Sequence, residues 1–214
     1  MNIRFLVRSN GFFISFLMIL YVFSSCASGG NQVKHDNHST PVTAEVKERY
    51  SDYLVNINSY STNGAYYQKK YERDIISVIT SLTENYEFDI LRRSAGFYFD
   101  KKSNRTDRLY LGFDMTVLKE NNLDYGRFAT SLLKENVPVI MGEFLKYNRV
   151  FDEREIAGLV IGFKWEEGRL SRQVNIWIQK EDMLLAKESK ITINEMYQRS
   201  TITNSEGKII LLPI

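Results

Sequence analysis

The side chains that could do covalent or metal chemistry are few, and they sit at one end of the chain. There is one cysteine, Cys26, and there are two histidines, His35 and His38. From Ser39 to Ile214 the sequence contains neither residue type. A Ser-His-Asp relay, a Cys-His pair and a histidine-ligated zinc ion each need an imidazole or thiolate fixed in a folded frame. Those mechanisms are excluded downstream of residue 38. His35-Asp36-Asn37-His38 offers two imidazoles and a carboxylate, but a stable site needs three or four ligands in fixed geometry, and the polar stretch around them supplies no such frame. No metal and no cofactor are expected. What survives is catalysis by carboxylates alone, the chemistry of glycosidic bond cleavage. Asp100, Asp114, Glu143 and Glu166 are candidates for it, and nothing in their spacing singles out a pair among 26 acidic residues.

Cys26 has a context of its own. Arg4 and Arg8 precede an apolar run from Gly11 to Phe23, two serines follow, and no acidic residue occurs before Asp36. A basic start, an apolar core and small residues before a cut site are the marks of an export signal. The run is shorter than the roughly 20 residues a membrane span requires. Phe23-Ser24-Ser25-Cys26 resembles the lipobox of bacterial lipoproteins, with Phe23 where Leu is usual. The resemblance covers residues 1–26. It implies that the Cys26 thiol is acylated with diacylglycerol, that the chain is cut just before it, and that membrane lipid is a partner through that group. Ala27, rather than Asp, after the cysteine implies the outer membrane by the same resemblance. An ordinary cleaved signal and an uncleaved anchor are the alternatives. On this reading residues 1–25 are a signal peptide, 26–42 an acylated flexible tether and 43–214 a single α+β domain.

Charge agrees with such a division. Removing residues 1–25 removes Arg4 and Arg8, so 28 basic residues become 26, against 26 acidic ones. A neutral remainder argues against nucleic acid, which is held through basic patches. One cysteine allows no disulfide framework. Residues 27–42 are small, polar and aperiodic, the composition of a flexible tether. The 13 Tyr, 13 Phe and only 3 Pro of the chain favour a packed core over an extended stalk.

The elements that would position any site follow from periodicity. Val46, Tyr50, Tyr53, Leu54, Ile57 and Tyr60 recur at helical spacing and predict a helix over 43–60. Tyr67, Tyr71, Ile75, Val78, Ile79 and Leu82 predict a second over 65–84, so that the chain opens on a helical hairpin. From Tyr86 the period becomes two, with a phase flip at Arg93-Ser94-Ala95-Gly96 that marks a bulge or break. Residues 96–118 read as a β-hairpin. Asp124 caps a helix to about 136, and Pro138 kinks it or begins a further segment. Leu159 to Trp165 and Val174 to Ile178 form a second hairpin around Glu167-Gly168. Thr192 and Glu195 have capping-box spacing, and Thr201 to Leu212 suggests a terminal hairpin. The expected fold class is α+β: a helical hairpin, then a ββαββ antiparallel sheet with helices packed on one face.

Such a sheet has a second face. Strand alternation assigns to it Tyr98, Asp100, Tyr110, Gly112, Asp114, Gly158, Gly162, Lys164, Asn175, Trp177 and Gln179. The candidate binding residues are Tyr98, Tyr110, Asp114, Lys164 and Trp177, because amphipathic aromatics beside polar groups are enriched at interfaces. The competing expectation is that an N-terminal helix covers this face, with Trp177 as core resting over Gly162. The functional expectation is a lipid-anchored cell-envelope protein, not an enzyme, acting as a binding or assembly module with an envelope protein as candidate partner. The alternative is a carboxylate-dependent hydrolase of envelope polysaccharide.

Overall fold

The computed structural model describes residues 42–56, 62–99, 108–119 and 123–214. Cys26 with its lipobox, the expected tether up to residue 41 and Asp100 lie outside the described residues, as does the connection 57–61 of the expected helical hairpin; Val42, the tether's last residue, packs against the core. Among the described residues no helix is long and apolar enough to cross a membrane.

Helix α1 (Ala44–Tyr50) begins where the Thr43 hydroxyl accepts a hydrogen bond from the Val46 N–H, satisfying one of the donors a helix start leaves open. It is shorter than its periodicity suggests. After a 3-10 turn at Ser51–Tyr53, Leu54 bridges Ala95. The Val55 N–H donates to the Ala95 carbonyl at 2.9 Å and the Ala95 N–H to the Tyr53 carbonyl at 2.9 Å. These non-local partners displace the next helical turn. Helix α2 (Thr62–Asn85) carries the apolar face expected of it, with Ile75, Val78, Ile79 and Leu82 buried. The Lys47 ammonium meets the Glu72 carboxylate at 2.7 Å, and the Tyr50 hydroxyl donates to Glu84 at 2.9 Å, joining α1 to α2.

The period-two pattern Tyr86, Phe88, Ile90 turns out to be mostly a helix cap. Glu87 has φ 56°, and the Phe88 N–H reaches back to the Leu82 carbonyl at 3.1 Å. Glu87 thus ends the helix in the left-handed conformation common just past helix C-termini. Only Asp89–Ile90 (β1) is strand. The phase flip is a real break: Arg93 has φ 57°, and strand β2 (Gly96–Phe99) starts after it. Strand β3 (Leu109–Thr116) pairs antiparallel with both β1 and β2.

Helix α3 (Tyr125–Lys146) is capped by the Asp124 carboxylate, which accepts from the Arg127 N–H at 2.9 Å. It runs through Pro138 as one element rather than breaking there. Leu133, Val137, Ile140 and Phe144, on both sides of the proline, are all buried, and that packing outweighs the lost backbone bond. Strand β4 (Ile156–Glu167) and strand β5 (Leu170–Gln179) form the second hairpin. Helix α4 (Lys180–Lys187), for which periodicity gave no sign, follows directly, then α5 (Ile193–Arg199) with its Thr192–Glu195 capping box. Strand β6 (Thr201–Asn204) pairs antiparallel with β5. The terminal residues fold back on it through a Thr203–Ile209 bridge.

The fold is α+β, with five helices among the described residues and one six-stranded sheet ordered β1-β3-β4-β5-β6, β2 lying alongside β3. The expectation of a wholly antiparallel sheet is corrected: β3 and β4 are parallel, and the sheet is mixed. The cause is the length of α3. Its 22 residues span about 33 Å at 1.5 Å each, enough to carry the chain back past the whole of β3. A single crossover helix of that length returns the next strand to the end where the first began.

Alternation divides the sheet into two faces. Leu111, Phe113, Met115, Leu159, Ile161, Phe163, Val174, Ile176 and Ile178 join residues of all five helices in one large core. Trp165 sits in it at 1% exposure, between Tyr125 and Phe128. On the reverse face lies a small separate cluster of Tyr110, Ala157 and Val160 with Tyr98 and Trp177.

Candidate functional site

The reverse face is a polar and aromatic surface built across five strands. Register places Tyr98 opposite Tyr110 (β2 to β3), Tyr110 opposite Gly158 and Gly158 opposite Gln179. The next row runs Gly112, Val160, Trp177 and Thr201. The third runs Asp114, Gly162, Asn175 and Thr203, and the fourth Thr116, Lys164 and Gln173. The five candidate residues Tyr98, Tyr110, Asp114, Lys164 and Trp177 therefore share one face, as alternation requires.

Two groupings occupy it. In the aromatic one, Trp177 meets Tyr110 edge-to-face with ring centroids 5.1 Å apart, a favoured aromatic geometry. The Gln179 amide donates to the Tyr110 hydroxyl at 2.5 Å, and the Trp177 indole N–H to Thr203 Oγ1 at 3.4 Å. Tyr98 donates its hydroxyl to the Ser94 carbonyl. Ser94 Oγ in turn donates to the Leu91 carbonyl at 2.6 Å and accepts from the Asp114 N–H at 3.2 Å. The break before β2 is thus tied to β3.

In the polar grouping, the Lys164 ammonium contacts Asp114 Oδ2 at 2.6 Å. Gln173 Nε2 donates to Asn175 Oδ1 at 2.6 Å and to Asp114 Oδ1 at 3.3 Å. Asn175 Nδ2 reaches Thr203 Oγ1 at 3.3 Å. Gly162 makes this arrangement possible. A Cβ there would stand 2.0 Å from Asp114 Oδ1, 2.8 Å from Asn175 Oδ1 and 3.0 Å from Gln173 Nε2. Three planar polar groups converge on the space its missing side chain leaves.

The sequence posed a choice between an open and a helix-covered face. Among the described residues, no helix residue belongs to the cluster on this side, and α1 contributes Tyr50 to the opposite core. Trp177 is nonetheless half-buried rather than free, through its contact with Tyr110. It does not rest over Gly162, a place taken by the polar groups. Gln173 and Thr203 complete the network and were missing from the sequence-derived set. Both follow the alternation of their strands, so the signal for them was present.

The carboxylates considered for catalysis are not brought together. Asp114 is on the reverse face. Glu143 is in α3, 2% exposed, and accepts from Ser81 at 2.9 Å, Tyr86 at 2.9 Å and Lys146 at 2.5 Å. Burial pushes its carboxyl up, but these three donors outweigh it and hold the group below the ordinary range. It is a clamp between α2 and α3. Glu166 is exposed near the end of β4, and Asp100 lies outside the described residues.

Asp74 behaves in the opposite sense. It lines a small apolar cleft with Tyr71, Ile75, Val78, Leu111 and Phe144. Desolvation raises its carboxyl, and Arg149 only partly offsets this. The cleft holds about 10 Å³, room for roughly one water and too little for a substrate. Among the described residues no group of three or more His, Cys, Asp or Glu side chains is placed to hold a metal ion.

Comparison with protein-family models, curated proteins and solved structures finds no match for this chain.

Proposed function

We propose that this chain is a lipid-anchored protein of the bacterial cell envelope, not an enzyme, whose reverse sheet face is its binding or assembly surface. The acylated Cys26 holds it to membrane lipid, in the outer membrane by the lipobox resemblance, and the polar stretch up to residue 41 is its tether. A diacylglyceryl group supplies two chains, enough for stable anchoring. In this reading α1 and α2 form the helical hairpin, on the side of the sheet away from the binding face.

The observation that carries the reading is the shared face. Five residues chosen from sequence for interface chemistry meet on one side of the sheet, and the helices build their core on the other. Beside its charged groups and amide network this face carries a half-buried Trp and two Tyr, residue types enriched where proteins bind.

Two measurements test it. In cells, Cys26→Ser should lose incorporation of labelled acyl chains and leave the membrane fraction; membrane recovery of the unlabelled variant would refute the anchoring. A photo-crosslinking residue at Gln173 should trap an envelope component, while one at Glu188, on the helix side, should not. Equal trapping from both positions would refute the assignment of the binding face.

A further inference from the structure

We infer that residues 208–212 are the edge through which two copies of this chain pair, strand to strand, into one continuous sheet. The inference needs neither the lipid anchor nor the reading of the reverse face. Beyond β6 the chain adds one more antiparallel run. The Asn204 N–H donates to the Lys208 carbonyl and the Ile210 N–H to the Ile202 carbonyl, both at 2.9 Å. In an antiparallel ladder the residue between two such bonds turns its own N–H and carbonyl to the other side. Ile209 is that residue, opposite Thr203, and Leu211 is the next outward position. Neither makes a backbone hydrogen bond with the described residues. Their side chains are exposed as well, Ile209 at 61% and Leu211 at 96%. An apolar edge with free N–H and carbonyl groups two residues apart is complementary to another extended chain.

A second copy supplies that chain, because residues 209–211 satisfy themselves. A twofold axis at Ile210, normal to the sheet, sets Ile209 of each copy opposite Leu211 of the other. Every outward N–H then meets an outward carbonyl. The exposed Ile209 and Leu211 side chains pair across the join on the reverse-face side. On the other side the two Ile210 side chains meet, each already packed against its own core.

The neighbouring registers fail. An axis at Ile209 sets Leu211 against Gly207, which lies in a turn at φ 71° and spends its N–H on the Asn204 carbonyl. An axis at Leu211 sets Ile209 against Pro213, which has no N–H. In the register that remains, Lys208 faces Leu212 rather than another lysine, and its ammonium is held by Glu206 at 2.6 Å. No like charges are opposed. An isologous contact of this kind closes as a dimer instead of growing into a fibre. A join this short falls below the roughly 1,200 Å² of a stable interface, so the dimer is reversible and is best read by covalent trapping.

The test co-expresses two differently tagged full-length chains in bacterial cells, one with a photo-crosslinking residue at Leu211. Illumination should trap the other tagged chain, with the cross-link on its residues 208–212. The same residue at Leu170, another exposed apolar position at the start of β5, should trap no second copy. Ile209→Pro in both chains deletes the outward N–H and leaves the Lys208 and Ile210 bonds in place. It should cut the trapped dimer about tenfold or more, while Ile209→Val should leave it within about twofold. If Ile209→Pro fails to fold by circular dichroism, the position of the cross-link in the parent chain decides. Each of the following overturns the inference: no second copy trapped at Leu211, another protein trapped in its place, a cross-link outside 208–212, equal trapping at Leu170, or a dimer undiminished in folded Ile209→Pro.

Discussion

Two glycines of the sheet should respond very differently to the same small change. At Gly112 an added Cβ would stand 2.0 Å from the Val160 carbonyl oxygen and 2.4 Å from Val160 Cγ1. At Gly162 it would stand 2.0 Å from Asp114 Oδ1. The shortfall is equal, about 1 Å inside the 3.0 Å that real Cβ atoms keep; what must yield is not. At Gly112 it is backbone of β4 in the parallel pairing with β3, so relief requires the strands to separate. That places Gly112→Ala at the upper end of overpacking, about 3 kcal/mol or more. At Gly162 the Asp114 side chain can rotate away. The loss is a partly exposed ion pair, worth about 0–1 kcal/mol, and a Gln173 hydrogen bond of about 1 kcal/mol. Removing a glycine from the unfolded chain returns about 0.4–1 kcal/mol. Gly162→Ala should therefore cost about 1 kcal/mol. For a domain of this size 1 kcal/mol is about 2–4 °C, so thermal melts should fall by about 6 °C or more for Gly112→Ala and by about 2–4 °C for Gly162→Ala. Urea and thermal unfolding followed by circular dichroism measure both. Equal losses, or a larger loss at Gly162, would show that the reasoning from backbone against side chain is wrong.

Trp177→Ala should cost about 1–2 kcal/mol in urea melts, between a surface change and the 3–5 kcal/mol of an emptied aromatic core site; a value at either extreme would contradict its half-buried contact with Tyr110. Asp74→Asn should raise the melting temperature at neutral pH. Its carboxyl is raised in the folded state, so folding favours the protonated form, and stability falls as pH climbs through the folded value; the gain should vanish below about pH 3.9, where the unfolded group is also protonated. Glu143→Gln should do the reverse. Its carboxyl is lowered, so its contribution is present at neutral pH and lost as pH falls through the folded value, and the variant should be less stable at pH 7 with the difference shrinking in acid. Thermal melts from pH 7 to pH 3 that moved the two variants in the same direction would refute both assignments.

The sequence alone was sufficient wherever one residue's neighbours in the chain decide its state. Alternation in 109–117, 159–165 and 174–178 identified β3, β4 and β5, and it placed Tyr98, Tyr110, Asp114, Lys164 and Trp177 on a common face, because successive side chains of a strand must point to opposite sides. Asp124 and the Thr192–Glu195 pair marked helix starts correctly, since a cap is made within three residues. The tertiary structure decided what depends on distant partners. Leu54 leaves its helical pattern because Ala95 offers a strand edge. Tyr86 and Phe88 mimic a strand because their rings stack across the left-handed Glu87 that ends α2. Pro138 stays helical because residues on both sides of it are buried. The parallel pairing of β3 with β4 arises from how far α3 carries the chain, a matter of path rather than of pattern. The polar cluster is partly of the same kind: alternation placed Asp114, Gly162 and Asn175 on one face, but only the register of β3, β4 and β5 sets Asp114, Gln173 and Asn175 around one missing side chain.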